Sequence, residues 1–332
     1  MNLRATALLF FSSHQSPLNP AGIQARHIEH NLVLIFGITS AVYLIVIAVL
    51  FFGVLRNHAR EGFVPHTLVE DPDVDRKATY IVGGAIGATV VLLFVMMISS
   101  FITSHRTAVL ANAQSLKIDV YGHQWWWEVE YPMDEQPFRM VRTANEIHVP
   151  VGSVVTIHAT SRDVIHSFWA PNIHGKKDLI PGYENDLTLE VDQPGTWRGQ
   201  CAEFCGLQHA HMAFDIVAQS RADFDRWYVQ QLSAAPEPTT PQTIHGRDVF
   251  LNHPCMMCHT IRGTTAGSTV GPDLTHVASR SMIAAGTLKN TPGNMAGWIL
   301  NAQSIKPGVR MPPNPMPGQD LNDLLAYLET LR

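Results

Sequence analysis

Two long apolar segments without a charged residue constrain this chain more than any other feature. They cover 32–55 and 78–104 of the 332 residues. As a helix rising about 1.5 Å per residue, the first segment spans roughly 36 Å, enough to cross a hydrocarbon core of about 30 Å with some tilt. A buried core helix is the alternative for either segment, but two uncharged runs of this length disfavour it. We therefore predict a transmembrane hairpin over 31–105.

Basic residues near the two spans predict their orientation. The connector between them contains Arg56, Arg60, Arg76 and Lys77, whereas few basic residues flank the outer ends of the spans. The positive-inside rule then places the connector in the cytoplasm and both termini on the outer face. The N-terminal segment, 1–30, includes a short apolar run at 5–11 that is a weak candidate for a signal peptide.

The region that follows the hairpin, 106–232, is expected to be an all-β domain. It contains short runs rich in Val, Ile, Thr and aromatic residues, separated by Gly, Pro, Asp and Asn. Several runs alternate with period two, as in a sandwich of two sheets. The predicted strands read "LKIDVYG", "WWWEVEY", "EIHVPVG", "SVVTIHAT", "NDLTLEV" and "MAFDIVAQ".

A proline-rich segment, 233–242, divides this region from a helical domain at 243–332. Three prolines in "SAAPEPTTPQ" predict a semi-rigid, extended linker. Helices are expected at 246–260 and 319–331, the latter with leucines on one face. The net charge of −5 and the absence of a basic stripe argue against nucleic-acid binding.

The motif "CMMCH" at 255–259 predicts covalent haem in this last domain. Thiols at i and i+3 on a helical turn share a face, so Cys255 and Cys258 can both add to the vinyl groups of one porphyrin, with His259 as an axial iron ligand. A redox disulfide and half a zinc site are the alternatives. No second cysteine pair exists at 259–332 to complete a zinc site.

The second axial ligand is expected in "IKPGVRMPPNPM". This segment resembles the Pro-Gly-x-x-Met loop of small cytochromes c, which favours Met311 over Met316. A thioether ligand raises the haem potential. The whole stretch 246–331 is similar to a cytochrome c, with Phe250 before the haem motif and "GPDLTHVASR" after it. We refer to 243–332 as the haem domain.

The densest motif is "CAEFCGLQHAHM", in which Cys201, Cys205, His209 and Met212 are spaced 4, 4 and 3 apart. A mononuclear blue-copper loop supplies one Cys, one His and a weak Met. The additional thiolate allows two copper ions to be bridged, with His166 of "DVIHSFW" as the upstream imidazole. A Cys201–Cys205 disulfide would leave the other residues unexplained, and Met is a poor zinc ligand. We refer to 106–232 as the copper domain.

These motifs together resemble subunit II of the haem–copper cytochrome c oxidases, in the caa-type version with a fused C-terminal cytochrome c. The resemblance implies a Greek-key, cupredoxin-like sandwich between the hairpin and the all-α cytochrome domain. It also implies that haem c passes electrons to the binuclear copper and on to the haem of subunit I, within an oxidoreductase and translocase whose subunit I reduces oxygen and pumps protons. The linker at 233–242 would keep the haem domain at high effective concentration near the copper domain.

The resemblance further implies the roles of individual residues. The copper ligands would be His166, Cys201, Cys205, His209, Met212 and the backbone carbonyl of Glu203. The Glu203 carboxylate would contact magnesium at the subunit I boundary, and Trp125 of the Gly-His-Gln-Trp motif would be the electron entry. His211 is expected just outside the ligand set or at the surface, and Asp178 is expected to order the loop beside His166.

The implied partners are oxidase subunits I and III, a lipid bilayer, and a donor such as a soluble cytochrome c or a quinol–cytochrome c reductase. The implied location is a bacterial inner membrane, with the metal domains on the periplasmic face.

The start of the second span departs from the sequence pattern of the family, and Glu70 there is the candidate for proton entry. A copper-delivery factor would bind labile, single copper and need no haem, and a stand-alone copper–haem enzyme would need a further His-rich centre.

Overall fold

A computed structural model describes residues 14–58, 72–108, 115–132 and 140–332. The chain divides into two compact units, residues 26–109 and residues 1–25 with 110–332. The signal-peptide candidate at 5–11 and the proton-entry candidate Glu70 lie outside the described residues.

The smaller unit is a helical hairpin. Helices α1 (Ile23–His58) and α2 (Pro72–Ala108) contain windows of mean hydropathy 2.7 and 2.6, long enough to cross a membrane, and nothing in those windows is buried. This exposure excludes the core-helix alternative for both segments. Where the helices meet, the Ser99 hydroxyl donates to Asn31 Oδ1 at 2.7 Å, so a polar contact links the two helices at one end.

In the part of the copper domain that the structure describes, there are ten strands and one closing helix. They are β1 (Leu116–His123), β2 (Trp126–Tyr131), β3 (Val141–Ala144), β4 (Glu146–Pro150), β5 (Val154–Ser161), β6 (His166–Phe168), β7 (Lys177–Leu179), β8 (Asn185–Glu190), β9 (Gly195–Gln200), β10 (Ala213–Gln219) and α3 (Arg221–Leu232). All six predicted strands are present, and β3, β7, β9 and α3 were not predicted.

The strands form two main sheets around one apolar core. The first sheet has the order β3-β2-β1-β5-β8 and the second the order β4-β10-β9, while β6 and β7 pair as a short ribbon. Side chains of β1 alternate between the core and the outside, as the period-two pattern predicts. Trp127 is fully buried in the core and packs edge-on against Phe168 and Phe214.

A segment ahead of the first span also belongs to the copper domain. The Ala21 amide donates to the Asn172 carbonyl at 2.6 Å, and Gly22 forms a β-bridge with Val191. A Cβ on Gly22 would lie 2.6 Å from the Ile173 carbonyl oxygen, so the strand contact requires glycine there. Residues 14–22 were not predicted to pack on this domain, because they show neither apolar periodicity nor alternation.

The haem domain is mostly helical, as predicted. Its elements are α4 (Pro241–Asn252), β11 (Met282–Ile283), β12 (Leu288–Lys289), α5 (Pro292–Ile305) and α6 (Gly318–Leu328). Helices α4 and α6 pack closely at Gly246, where an added Cβ would lie 1.9 Å from the Asp323 carbonyl oxygen. The predicted helix 246–260 is wrong at both ends: α4 begins at Pro241 and stops at Asn252, since Pro254 forces His253 into an extended conformation, and Pro254–Met257 forms a separate 3-10 helix.

The proline-rich segment is extended but not free. Ser233 and Thr240 have extended backbone angles, and the Thr240 side chain caps α4. The Ala235 amide donates to the Arg262 carbonyl at 2.9 Å, and the Ser233 carbonyl lies 3.2 Å from His276 Nε2. The first half of the segment is therefore bound along the haem domain.

Candidate functional site

The sulfurs of Cys201 and Cys205 form the centre of a compact donor cluster. Their Sγ atoms lie 3.8 Å apart, and His166 Nδ1 lies 3.9 Å from Cys201 Sγ. Three further donors surround the pair: Glu203 O at 3.3 Å from Cys201 Sγ, and His209 Nδ1 at 3.7 Å and Met212 Sδ at 3.8 Å from Cys205 Sγ. The structure thus brings together all six residues predicted to bind copper.

The chemistry of this donor set fits copper. Thiolate, thioether and imidazole groups are the soft and borderline ligands that copper prefers, and a buried Met212 is a poor partner for zinc. Both cysteines are free, so the cluster is not a disulfide. The hydrogen bond from Cys205 lowers the pKa of the Cys201 thiol, and His166 acts in the same direction. An ionised thiolate is the form that binds metal.

His166 is held with its Nδ1 toward the cysteines. Its Nε2 lies 2.9 Å from Asp163 Oδ1, so the proton resides on Nε2 and Nδ1 is available as a ligand. Burial alone would raise the pKa of Asp163, but hydrogen bonds from His166 and from the Gln124 and Val164 amides lower it to about 2. The carboxylate is therefore charged and can orient the imidazole.

Glycine at position 122 gives the same imidazole its space. A Cβ on Gly122 would lie 2.7 Å from His166 Cδ2. Sequence reasoning missed both Gly122 and Asp163, although each stands in a motif that it used. Asp163 lies three residues before His166, and Gly122 opens the Gly-His-Gln-Trp motif.

We expect Asp163→Asn to weaken copper binding by about 10–100-fold, the usual cost of losing the hydrogen-bond partner of a metal ligand. The amide can present its NH₂ group to Nε2, which favours the wrong tautomer of His166. Copper affinity, measured by competition with a chelator, checks this. Asp186→Asn is the matched control, because Asp186 pairs with the remote His158 at 2.6 Å. Equal affinities for both variants would contradict the orienting role.

Two acidic side chains lie near the loop but outside the cluster. The Glu203 carboxylate is partly exposed, with Oε2 3.8 Å from Lys176 Nζ. Asp178 lies in β7 opposite Ser167, and its carboxylate is 3.5 Å from the same Nζ. His211 Nδ1 bonds Gln208 Oε1 at 2.8 Å and His211 is exposed, in keeping with a position outside the donor set.

Trp125 connects the donor cluster to a second site. Its indole Nε1–H donates to the Cys205 carbonyl at 2.9 Å, and the ring is 7% exposed. The side chain also lines a cavity of about 410 Å³ whose wall is formed mostly by the haem domain and partly by the copper domain. The resemblance implied that Trp125 is the electron entry, but its direct contact with a cavity of the haem domain was not predicted, since sequence spacing says nothing about how the domains dock.

All four predicted haem residues line that cavity. Cys255, Cys258, His259 and Met311 are present in its wall, whereas Met316 packs against the apolar core of the haem domain. The cavity falls within the range of about 300–1,000 Å³ common for cofactor sites. Its remaining wall is largely apolar and includes residues of both domains: His123, Trp126, Phe250, Leu274, Trp298 and Leu328.

The donor groups in the cavity fit haem. His259 Nδ1 lies 2.8 Å from the Pro272 carbonyl, which fixes the proton on Nδ1 and leaves Nε2 as the ligand atom. Burial lowers the pKa of His259, which favours the neutral, ligating imidazole. The Nε atom of Arg280, also in the wall, is buried without a hydrogen-bond partner, and such a donor suits the carboxylates of a porphyrin.

Comparison with family models identifies both domains. The model described as cytochrome c oxidase subunit II, periplasmic domain, matches residues 133–220. The model described as cytochrome c matches residues 244–332. The first match covers the donor cluster, and the second covers Cys255, Cys258, His259 and Met311 of the cavity wall.

Two relatives named cytochrome c oxidase subunit 2 match large parts of the chain. Cytochrome c oxidase subunit 2 of Alkalihalophilus pseudofirmus is 32% identical over 324 residues, which is 95% of this chain and 90% of that protein. The subunit 2 of Bacillus sp. PS3 is 30% identical over 67% of this chain and 65% of its own length. The solved periplasmic domain of subunit II from Bradyrhizobium japonicum is 30% identical, covers 37% of this chain and 96% of its own, and has a TM-score of 0.34.

Proposed function

Because this chain belongs to the cytochrome c oxidase subunit II family, with a cytochrome c domain fused at its C-terminal end, we propose that its two cysteine clusters are two redox centres in series. The chain is an electron-transfer subunit of a haem–copper oxidase and associates with subunit I. It is a membrane protein with two apolar helices and an exposed metal domain. The copper number, the ligand residues and the order of transfer are the finer points proposed here.

The copper site is a binuclear one. Two ions would be held by six groups: His166, Cys201, Cys205, His209, Met212 and the Glu203 carbonyl. The main support for this proposal is that the two buried sulfurs lie 3.8 Å apart and that each has its own imidazole nitrogen within 3.9 Å. A single blue-copper ion needs only one thiolate, so the second would have no role.

The haem site is formed by four residues of the haem domain. Cys255 and Cys258 would hold the porphyrin covalently, and His259 and Met311 would bind its iron. When bound, the haem and the copper pair each accept and release single electrons. The protein holds both ligand sets in largely apolar surroundings, which keeps their geometry nearly constant between redox states.

Trp125 serves as the electron entry to the copper site. Its ring lines the haem cavity, and its indole N–H is bonded to the carbonyl of the ligand Cys205. A buried aromatic side chain in contact with both sites shortens the gap that an electron must cross. In this chain the entry faces the fused haem domain itself.

The remaining proposals concern magnesium, partners and location. The partly exposed Glu203 carboxylate is available to contact magnesium at the subunit I boundary. Subunit III and an external donor, either a soluble cytochrome c or a quinol–cytochrome c reductase, complete the assembly. The location is a bacterial inner membrane with both termini outside. The packing of Ala21 on the copper domain supports this orientation, since that residue precedes the first span.

Metal content and spectra of the purified protein test the proposal. We expect two coppers and one c-type haem per chain, with a seven-line copper hyperfine pattern in the electron-spin spectrum, because one electron is shared between two copper nuclei. A four-line pattern, or copper lost on mild dialysis, would instead indicate a single labile ion. That result would favour a copper-delivery function.

A further inference from the structure

Two loops of the haem domain contact the copper domain at Ala213 and Gln208, in addition to the bond that Arg262 donates to the Gln231 carbonyl elsewhere in the interface. One loop contains the turn at 284–286, where the Ala213 amide donates to the Ala285 carbonyl at 3.0 Å and Arg198 Nη1 donates to the Gly286 carbonyl at 3.2 Å. The other follows α5, where Gln208 Nε2 donates to the Pro307 carbonyl at 2.8 Å. Both loops lie against the copper domain close to the segment that carries the copper ligands.

Lys306 lies where these two loops meet the copper domain. Its side chain is 1% exposed, and its Nζ donates to three backbone carbonyls: Trp125 at 3.0 Å, His211 at 2.8 Å and Ala284 at 3.1 Å. The first two carbonyls belong to the copper domain and the third to the haem domain. Among the described residues, no carboxylate lies within ion-pair distance of this ammonium group.

A buried ammonium group without a carboxylate is costly, so its placement needs an explanation. Burial lowers the pKa of Lys306 to about 7. The three N–H bonds of an ammonium group match the three carbonyls, and each carbonyl is oriented by a different segment. A shift of one domain against the other would break at least one bond at a buried position, where an unpaired polar group is most unfavourable.

The loop that carries Lys306 also carries Met311, the proposed haem ligand. The Gln303 side chain holds this loop from within, because its Nε2 donates to the Met311 carbonyl at 2.8 Å and its Oε1 accepts from the Gly308 amide at 2.9 Å. Gly308 has φ +90°, and an added Cβ would lie 3.3 Å from Leu207 Cδ1. The segment from Lys306 to Met311 is therefore held at both its ends.

We propose that Lys306 is a positioning residue that locks the haem domain onto the copper domain in one orientation, so that electrons pass within a fixed complex. The inference rests on the two-centre function proposed above, but it concerns the docking of the domains. It departs from the sequence-based expectation for such a fusion, in which 233–242 acts as a tether that raises the local concentration of the haem domain.

Hydrogen exchange in the full-length protein tests the lock without reference to turnover. The Ala213 amide donates to the Ala285 carbonyl of the haem domain, so its exchange rate reports on the docking. In Lys306→Met we expect this amide to exchange at least about tenfold faster, because a hydrogen bond to a charged group contributes at least that factor to an equilibrium. Lys289→Met is the matched control, because Lys289 is an exposed lysine of the same domain. Equal exchange in the two variants would overturn the proposal.

A second measurement uses the unaltered protein and applies even where Lys306→Met fails to fold. After flash reduction of the haem, the rate of electron transfer to copper is followed in solutions of rising viscosity. A locked interface predicts a rate independent of viscosity, whereas a rate that falls in proportion would overturn the lock. Normal haem and copper spectra in the same sample show that the two-centre function holds whichever result is obtained.

Discussion

Replacing Cys205 with serine is expected to abolish the two-copper signature and leave at most one copper per chain. The Cys205 sulfur lies within 3.8 Å of the other sulfur, of His209 Nδ1 and of Met212 Sδ, so it lies at the centre of the donor set. A hydroxyl does not replace a bridging thiolate, because copper in such sites is selected by soft sulfur ligands. The loss of affinity should exceed the roughly 10–100-fold that losing a ligand's hydrogen-bond partner costs.

Electron-spin spectroscopy and metal analysis of Cys205→Ser measure this effect. The hyperfine pattern should change from seven lines to four, the haem spectrum should stay unchanged, and electrons should remain on the haem. Leu207→Ser is the matched control within the same loop, since Leu207 is 80% exposed and not a donor. A retained seven-line pattern in Cys205→Ser would contradict the bridging role.

The sequence predicts those elements of the fold whose pattern is contained within a single segment of the chain. Charge-free length predicts the hairpin, and period-two alternation predicts strands such as β1 and β10. Strands β6 and β7 have three residues each, which is too short for any period to appear. Helix α3 was missed although its local signals are present: Ser220 accepts from the Asp223 amide as an N-cap, and Phe224, Trp227, Tyr228 and Leu232 stand at i, i+3, i+4 and i+8.

The candidate sites follow the same division. The proposed ligands Cys201, Cys205, Cys255 and Cys258 are candidates from their spacing, because few chemistries require that spacing. Lys306 is not found in this way. It stands 181 residues from Trp125, whose carbonyl it binds, and its neighbours "IKPG" look like an ordinary turn. Residues that hold one domain on another depend on the docked geometry, which no local pattern encodes.

Met311→Ala is expected to have the largest effect on the haem. The side chain lines the cavity that contains Cys255, Cys258 and His259, and the Gln303 amide holds its carbonyl in place. Removal of the thioether should abolish the near-infrared sulfur–iron band and lower the haem potential, on the order of a hundred millivolts, because a thioether ligand raises that potential. Covalent attachment should survive, since both thiols remain.

The chain provides its own matched control for this prediction, because Met316 is five residues further along the same loop and packs into the core of the haem domain. Met316→Ala removes the same side-chain atoms from a partly buried position. The domain should lose no more than about 5 kcal/mol of its free energy of unfolding, the upper value for a fully buried methionine, and the sulfur–iron band should remain. Met311→Ala should show the reverse pattern, with the band lost and stability changed less. Loss of the band in Met316→Ala alone would transfer the axial position to Met316 and contradict the assignment.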